Sequence, residues 1–403
     1  MTLIRRTAVR ATIAAVLLSV LPVTQAASAV SLPHRGGCLS SVPYIAGRGG
    51  YHTYRIPATV VTGKGTVLAF AEGRRGGAGD SGDIDVVLRR SLDGGCTWGP
   101  LAVVAAGRGN TRGNPAPVVD ARTGRIVLVT SYNSGTVSEA QIMRGEVTPG
   151  QSRRVFVQTS RDDGRRFSAP REITAQVKRA NWRWYATGPG HAVALTRGPH
   201  AGRLVVPANH SAAPPRGSSD TGREAKYYGA HAIYSDNGGM TWHLGFSDDS
   251  YDGYDNSNES SATQLPDGRL YLSSRDQNGS SVGNRLDSYS DDGGRTLDRP
   301  YTVQHTLDDV PVVQGSVLQL RGPQAPLLFS GPSVPTARQA MAIWRSTDAG
   351  AHFTKLLNLS RRKAAYSDLV ELPGKDAGIL YETGAKGPYD TIEFRRIPVG
   401  RPD

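Results

Sequence analysis

The chain has 403 residues, 38% of them hydrophobic, with 48 glycines, 25 prolines and a formal net charge of +12. That length allows one large domain or two average ones. Glycine at this density, with no long amphipathic run, argues against a helical bundle and for a turn-rich β protein.

Arg5, Arg6 and Arg10 precede an apolar run at 11–21, and Ala27-Ser28-Ala29 offers a small-residue cleavage site. This pattern predicts a secretory leader over 1–29, too short to span a bilayer, and a secreted mature chain over 30–403. The Arg5-Arg6 pair leaves a twin-arginine route open. No other stretch is long and apolar enough to cross a membrane. The leader holds three arginines and no acidic residue, so +12 less three leaves +9. Such a balance suits anionic partners, and an unspecific basic surface explains it equally well.

The two cysteines are Cys38 and Cys96. An even count in an exported chain permits a disulfide, provided that an N-terminal strand closes beside the first turn repeat. Neither has the histidine context of a catalytic thiol.

Next come Tyr54-Arg55-Ile56-Pro57, a strand at 66–70, Ala71-Glu72-Gly73-Arg74, a glycine-rich loop at 76–82 carrying Asp80, and a strand at 84–89. An arginine at a strand end beside a Pro or Gly loop points into a mouth rather than a core, although a lone surface arginine usually means nothing more than solvation.

Residues 91–98 then read SLDGGCTW, the pattern S-x-D-x-G-x-T-W. Imperfect copies follow at 160–167 (SRDDGRRF), 235–242 (SDNGGMTW), 290–297 (SDDGGRTL) and 346–353 (STDAGAHF). Asp-Gly and Gly-Gly are hairpin signals because glycine takes positive φ freely. The Ser and Asp side chains can bond amides inside the turn, and the closing Trp, Phe or Leu returns to the apolar layer. One copy would be weak; five in the same frame predict radially repeated four-stranded sheets, an all-β propeller, over unrelated hairpins in a sandwich. The segment 211–226 reads as an exposed loop or mouth insertion, and 248–258 is rich in Asp, Tyr and Asn. No composition shift marks a second domain, so 30–403 is expected to be one catalytic module.

In this order YRIP, AEGR, the Gly/Asp loop and the turn repeat resemble the bacterial sialidase (neuraminidase) family. Later landmarks keep the order: Gly113-Asn114-Pro115, Trp184-Tyr185-Ala186-Thr187-Gly188-Pro189-Gly190, Asn258-Glu259-Ser260, Ser274-Arg275, Gln314-Gly315-Ser316, Tyr366-Ser367-Asp368 and Leu380-Tyr381-Glu382. The resemblance runs from Tyr54 to Phe394. It implies a six-bladed β-propeller of four-stranded antiparallel blades and a retaining exo-α-sialidase acting on sialylated glycans as a monomer, without cofactor.

A sialoside carries a carboxylate on its anomeric carbon, so recognition needs fixed cations. Arg55, Arg275 and Arg338 match the family's arginine triad; guanidinium forks suit carboxylates because both parallel hydrogen bonds are charge-assisted. Arg345 competes with Arg338 on sequence alone. Glu382 matches the acidic partner that orients the first arginine. The substrate's anion also disfavours a carboxylate nucleophile: two unit charges about 4 Å apart at a dielectric of about 20 repel by about 4 kcal/mol. Sialidases use tyrosine instead, and Tyr366 with Glu259 as its base matches that pair. A phenol with pKa about 10 needs such a base at neutral pH.

Asp80 matches the acid that protonates the leaving group, with Asp83 and Asp85 as neighbouring rivals. Arg74 and Asn114 match residues on the C4 hydroxyl and N-acyl side; many relatives have Asp where Asn114 stands, which leaves the C4 preference open. Tyr185 and Thr187 are candidates for an N-acyl pocket. The nine histidines form no metal-ligand spacing, and no nucleotide or nucleic-acid fingerprint is present; a structural calcium stays open. A trans-sialidase and a non-catalytic sialic-acid-binding propeller are the alternatives. The second would be marked by loss of Tyr366, Glu259 or Asp80, and none is lost. A different propeller glycosidase sharing only the turn repeats would not need arginines at these positions.

Overall fold

The chain turns back on itself in antiparallel groups of short strands, and several of the strands that open a group lie beside the opening strand of another. The computed structural model describes residues 38–250, 253–374 and 376–399, so the leader read at 1–29 lies outside the described residues. Regular structure there is almost wholly strand, with short helices at Glu139–Arg144 and Thr174–Val177. No helix among the described residues is long and apolar enough to cross a membrane.

One sheet contains Thr53–Val61, Val67–Arg74, Ile84–Ser91 and Ala102–Ala105, followed by Thr111–Val119, Ile126–Asn133, Arg154–Ser160 and Arg171–Glu172. Its halves are antiparallel and touch through the parallel pair Ile84–Thr111. A second joins Trp182–Thr187, Leu204–Ala212, Tyr228–Ser235 and His243–Ser247, with Val193–Ala194 at its side. A third joins Ser257–Gln264, Leu270–Asp276, Arg285–Ser290 and Thr302–Val303. The fourth holds Ser316–Gln319, Leu327–Val334, Ala337–Ser346 and Thr354–Asn358, then Lys363–Glu371, Ala377–Gly384 and Thr391–Ile397. The N-terminal strand Ser40–Ile45 completes it by pairing with Thr391–Ile397. The opening strand Thr53–Val61 lies beside both Thr111–Val119 and Lys363–Glu371.

The turn repeats share one hydrogen-bond plan. In the first, Ser91 Oγ accepts the Gly95 amide at 2.8 Å, while Asp93 accepts the Cys96 and Thr97 amides and the Thr97 hydroxyl. Asn237 keeps the plan by accepting two amides with Oδ1 and donating Nδ2 to Thr241. His352 replaces the threonine and meets Asp348 at 2.7 Å. The second glycine fits because the turn sits on a neighbouring sheet. At Gly95, φ is +92°, and a Cβ would lie 2.0 Å from the Phe394 ring; at Gly350 it would meet Tyr271 at 2.5 Å. Gly95 near the start thus packs on Phe394 near the end. Cys38 and Cys96 are disulfide-bonded at the same place, and the Trp98 indole donates to Ser41 at 2.8 Å.

A buried carboxylate ties the opening strands together. Asp368 is fully buried and accepts the Thr59 amide at 2.7 Å, the His191 amide at 3.0 Å and the Ser316 hydroxyl at 2.9 Å. Its Oδ1 also meets His191 Nδ1 at 2.8 Å. Burial lowers the pKa of this imidazole, and the Asp368 carboxylate more than reverses that, so the net shift is upward.

Candidate active site

Register shifts put the singled-out side chains where they are. Opening strands slip between Arg55 and Ala58, between Gly113 and Ala116, between Ser257 and Ser260, and between Ala364 and Ser367. Arg55, Asn114, Glu259 and Tyr366 each lie at one of these slips. A bulge re-aims a side chain that alternation would send into a core. Ile56 and Asn114, each before a proline, take φ of 55° and 51°. For β-branched Ile56 this is a strained position, costing about 1–3 kcal/mol, and it needs outside support. Glu382 supplies it by accepting the Ile56 amide at 2.9 Å.

Glu382, fully buried, takes Arg55 through both oxygens at 3.1 and 3.3 Å and the Tyr366 amide at 3.1 Å. The Arg55 guanidinium lies 4.9 Å from the Tyr366 ring centre and 4.2 Å from that of Tyr389. Burial opposes its charge, but Glu382 and the two phenols outweigh that and raise its pKa.

The Tyr366 hydroxyl donates to Glu259 Oε1 at 2.6 Å, and Arg275 Nη1 donates to Glu259 Oε2 at 2.8 Å. Arg275 also reaches the phenol oxygen at 3.5 Å. Arg338 stands 5.6 Å from the Tyr366 ring centre and donates to the Tyr389 hydroxyl at 3.0 Å. The rival Arg345 is exposed on the same strand. Burial, then the Glu259 carboxylate, drive the Tyr366 pKa well above its ordinary value, while Arg275, Arg55 and Arg338 pull it down. The neutral phenol is the resting form.

Asp80 is half exposed and meets Arg74 at 2.8 Å and Arg55 at 3.6 Å. Burial works to raise its pKa, but Arg74 and Arg55 prevail and lower it. Asp83 and Asp85 turn elsewhere: Asp83 accepts the Gly109 amide, Asp85 accepts the Gly107 amide and the Tyr51 hydroxyl, and both pair with Arg75. Arg74 is buried, chelated by Glu72 at 2.6 and 2.9 Å, and donates to the Ala78 carbonyl, folding the Asp80 loop back over the site. Glu72 also accepts the Asn114 amide at 2.7 Å. Gly113 makes room for it, since a Cβ there would lie 2.2 Å from Glu72 Oε1.

Four residues here carry no local sequence signal. Arg153 is buried, donates to Asn114 Oδ1 at 2.5 Å and stacks 4.0 Å from the Trp184 ring centre; burial lowers its pKa to about 10 despite nearby carboxylates. Glu139 opens the short helix whose Ser138–Gln141 capping box fixes its start, and it accepts the Tyr228 hydroxyl at 3.2 Å. Burial, then Asp80, raise its pKa. Tyr389 is the fourth. Tyr185 and Thr187, read as pocket lining, are instead fully buried. Tyr185 packs among Trp182, Val206 and Ile233, and Thr187 donates to the Asn114 carbonyl at 2.6 Å. The slip between Trp182 and Tyr185 turns the aromatic inward. Among the described residues no group of three or more His, Cys, Asp or Glu side chains is placed to hold a metal.

An all-β repeat fold whose arginines and carboxylates surround a buried phenol defines a class of carbohydrate-acting protein, and comparison with known proteins places the chain within it. The BNR repeat-like domain matches residues 65–380. A sialidase from Micromonospora viridifaciens is 33% identical over 359 residues, covering 84% of this chain and 51% of the relative. An exo-alpha-sialidase from Aspergillus fumigatus is 30% identical, covering 86% of this chain and 84% of the relative. Among solved structures, the Hadza microbial sialidase Hz136 superposes with a TM-score of 0.75 at 26% identity, covering 89% of this chain and 68% of that one. The chain therefore belongs to the sialidase family of glycoside hydrolases. It spans about half the length of the Micromonospora relative.

Proposed function

We propose that the protein is a secreted exo-α-sialidase, a six-bladed propeller over one catalytic domain, that removes terminal α-linked sialic acid with retention through a tyrosyl-enzyme intermediate. The observation that carries this reading is the 2.6 Å Tyr366–Glu259 hydrogen bond set among Arg55, Arg275 and Arg338. The packing of Gly95 on Phe394 supports a closed ring, and the disulfide suits an oxidising compartment.

The sugar's carboxylate pairs with the three arginines. Tyr366 Oη then attacks the anomeric carbon as Glu259 accepts the phenol proton and Asp80 protonates the departing glycosidic oxygen. In the second half Asp80 takes a proton from water, the hydroxide displaces the tyrosyl oxygen, and Glu259 returns the proton to Tyr366. Two inversions give net retention. Arg55 is shared by Asp80 and the incoming carboxylate. Once the substrate engages it, Asp80 loses part of the field that holds it ionised and can carry a proton. Arg74, Asn114 and Arg153 bound the C4 and N-acyl side.

Incubation with a fluorogenic sialoside tests the activity, and proton NMR of the first-formed sugar tests the stereochemistry. Release of the α-anomer is expected. No release between about pH 4 and 8, the range in which carboxyl and imidazole groups titrate, or release of the β-anomer first, overturns the reading. Lactose in the same assay distinguishes transfer from hydrolysis.

A further inference from the structure

The three arginines around Tyr366 are not held alike. Arg55 is paired with Glu382 at 3.1 Å and Arg275 with Glu259 at 2.8 Å. Among the described residues no carboxylate pairs with Arg338. It donates instead to the Tyr389 hydroxyl at 3.0 Å and to the Val312 carbonyl at 3.4 Å. A carboxylate in that place would grip the guanidinium more strongly, but its charge would compete with an incoming anion. A phenol oxygen fixes one N–H and leaves the positive charge uncompensated.

The backbone holds Tyr389 in position. The turn at 385–390 joins the strands Ala377–Gly384 and Thr391–Ile397. Asp390 folds it: the carboxylate accepts the Lys386 amide at 2.8 Å and the Gly387 amide at 3.2 Å, and the carbonyl accepts the Ala46 amide at 3.0 Å. Gly384 leaves room for that carboxylate, since a Cβ there would lie 2.3 Å from Asp390 Oδ2. The Tyr389 ring packs against the buried cluster that contains Ile56, Val313 and Tyr366, and the Arg55 guanidinium lies 4.2 Å from its centre. One side chain thus touches two of the three arginines, its face on Arg55 and its oxygen on Arg338.

We infer that Tyr389 is the positioning residue of the carboxylate clamp: its hydroxyl aims Arg338 at the sialic acid carboxylate without neutralising it, and its ring holds Arg55 in place beside it. The inference deepens the sialidase reading and rests on it. Two like charges meant for one carboxylate repel each other until the anion arrives. An aromatic face for one cation and an acceptor oxygen for the other hold both without adding a competing anion. Tyr389 makes no bond to the sugar and acts only through the two guanidinium groups.

The test is a double-mutant cycle of Tyr389→Phe and Arg338→Met, read by calorimetry as affinity for an unsaturated sialic acid analogue that keeps the carboxylate. Tyr389→Phe retains the ring on Arg55 and removes only the acceptor for Arg338. Its affinity for the analogue is expected to fall by about tenfold. Its KM on a fluorogenic sialoside should rise in step, with kcat within about twofold of wild type and Tm unchanged. In the Arg338→Met background the same substitution is expected to weaken binding by less than about twofold, because the group it positions is gone. Unchanged affinity in Tyr389→Phe, or an equal loss with and without Arg338, overturns the assignment while leaving an active sialidase. A lower Tm in Tyr389→Phe gives the residue a packing role instead and overturns it too. A wild type that releases nothing from a fluorogenic sialoside defeats the sialidase reading itself, and the assignment with it.

Discussion

Tyr366 and Glu259 lie 107 residues apart in the chain, yet phenol and carboxylate meet at 2.6 Å. Both stand at register slips in opening strands, so their meeting depends on two local irregularities as well as on the sheets. The contact puts a proton acceptor on a phenol whose own pKa is raised, by burial first and by Glu259 second.

Tyr366→Phe removes one oxygen and keeps the ring between Arg55 and Arg338. Turnover of a fluorogenic sialoside is expected to fall about a thousandfold or more, because no activated nucleophile remains. Binding of the unsaturated analogue, followed by calorimetry, is expected to survive. Near-normal turnover would move the nucleophile elsewhere.

Glu382→Gln leaves the shape but removes the charge facing buried Arg55, and weakens its hold on the Ile56 and Tyr366 amides. Breaking a buried pair typically costs about 3–5 kcal/mol. Denaturant unfolding should show a loss of that order, and KM should rise as Arg55 loosens. A variant as stable as wild type would mean that Glu382 is not the anchor its contacts indicate.

Asp80 is held ionised by Arg74 and Arg55 against the effect of its burial. If it must be protonated to act, kcat/KM declines as pH rises through its lowered pKa. Arg74→Met removes the closer cation, so that limb should move to higher pH even though overall activity drops. A limb that does not move assigns the acid to another group.

The His191–Asp368 contact gives stability a pH dependence of definite sign. The folded pKa of His191 is raised, so its contribution is complete below the unfolded value of about 6.5 and is lost as pH rises through the folded value. His210 and His231 are shifted down, burial being the main cause, and act in the opposite sense, losing stability as pH falls below about 6.5. The difference in Tm between wild type and His191→Gln should therefore be largest in acid and shrink toward alkaline pH. A constant difference would remove the charged pair from the account.

Cys38 and Cys96 close a span of 58 residues. Replacing both by serine is expected to cost about 2–4 kcal/mol, visible as a lower Tm, with activity per folded molecule unchanged. An unchanged Tm would show that the N-terminal strand holds without the bridge.

Much of this was legible because the informative residues sit in short linear patterns. The Ser–Asp–Gly turns are local hydrogen-bond devices, so five copies could be read directly, down to Asn237 standing in for aspartate. Arg55, Glu259, Arg275, Tyr366 and Glu382 each lie inside an ordered landmark. Sequence alone favours Asp80, since Asp85 belongs to an alternating strand and Asp83 abuts it; coordinates add the partners, Arg74 for Asp80 and Arg75 for the other two. Arg153, Glu139, Tyr228 and Tyr389 escaped notice because each comes from a segment with no pattern of its own. Tyr185 misled because a slip at Trp182 changes which face it presents.

Asp368 fastens Thr59, His191 and Ser316 only two residues beyond Tyr366. During synthesis Thr59, His191 and Ser316 all precede Asp368, so the early strands are made before the residue that fastens them. Tyr366 is made together with this knot, so fastening the early strands and setting the phenol beside Glu259 depend on one segment.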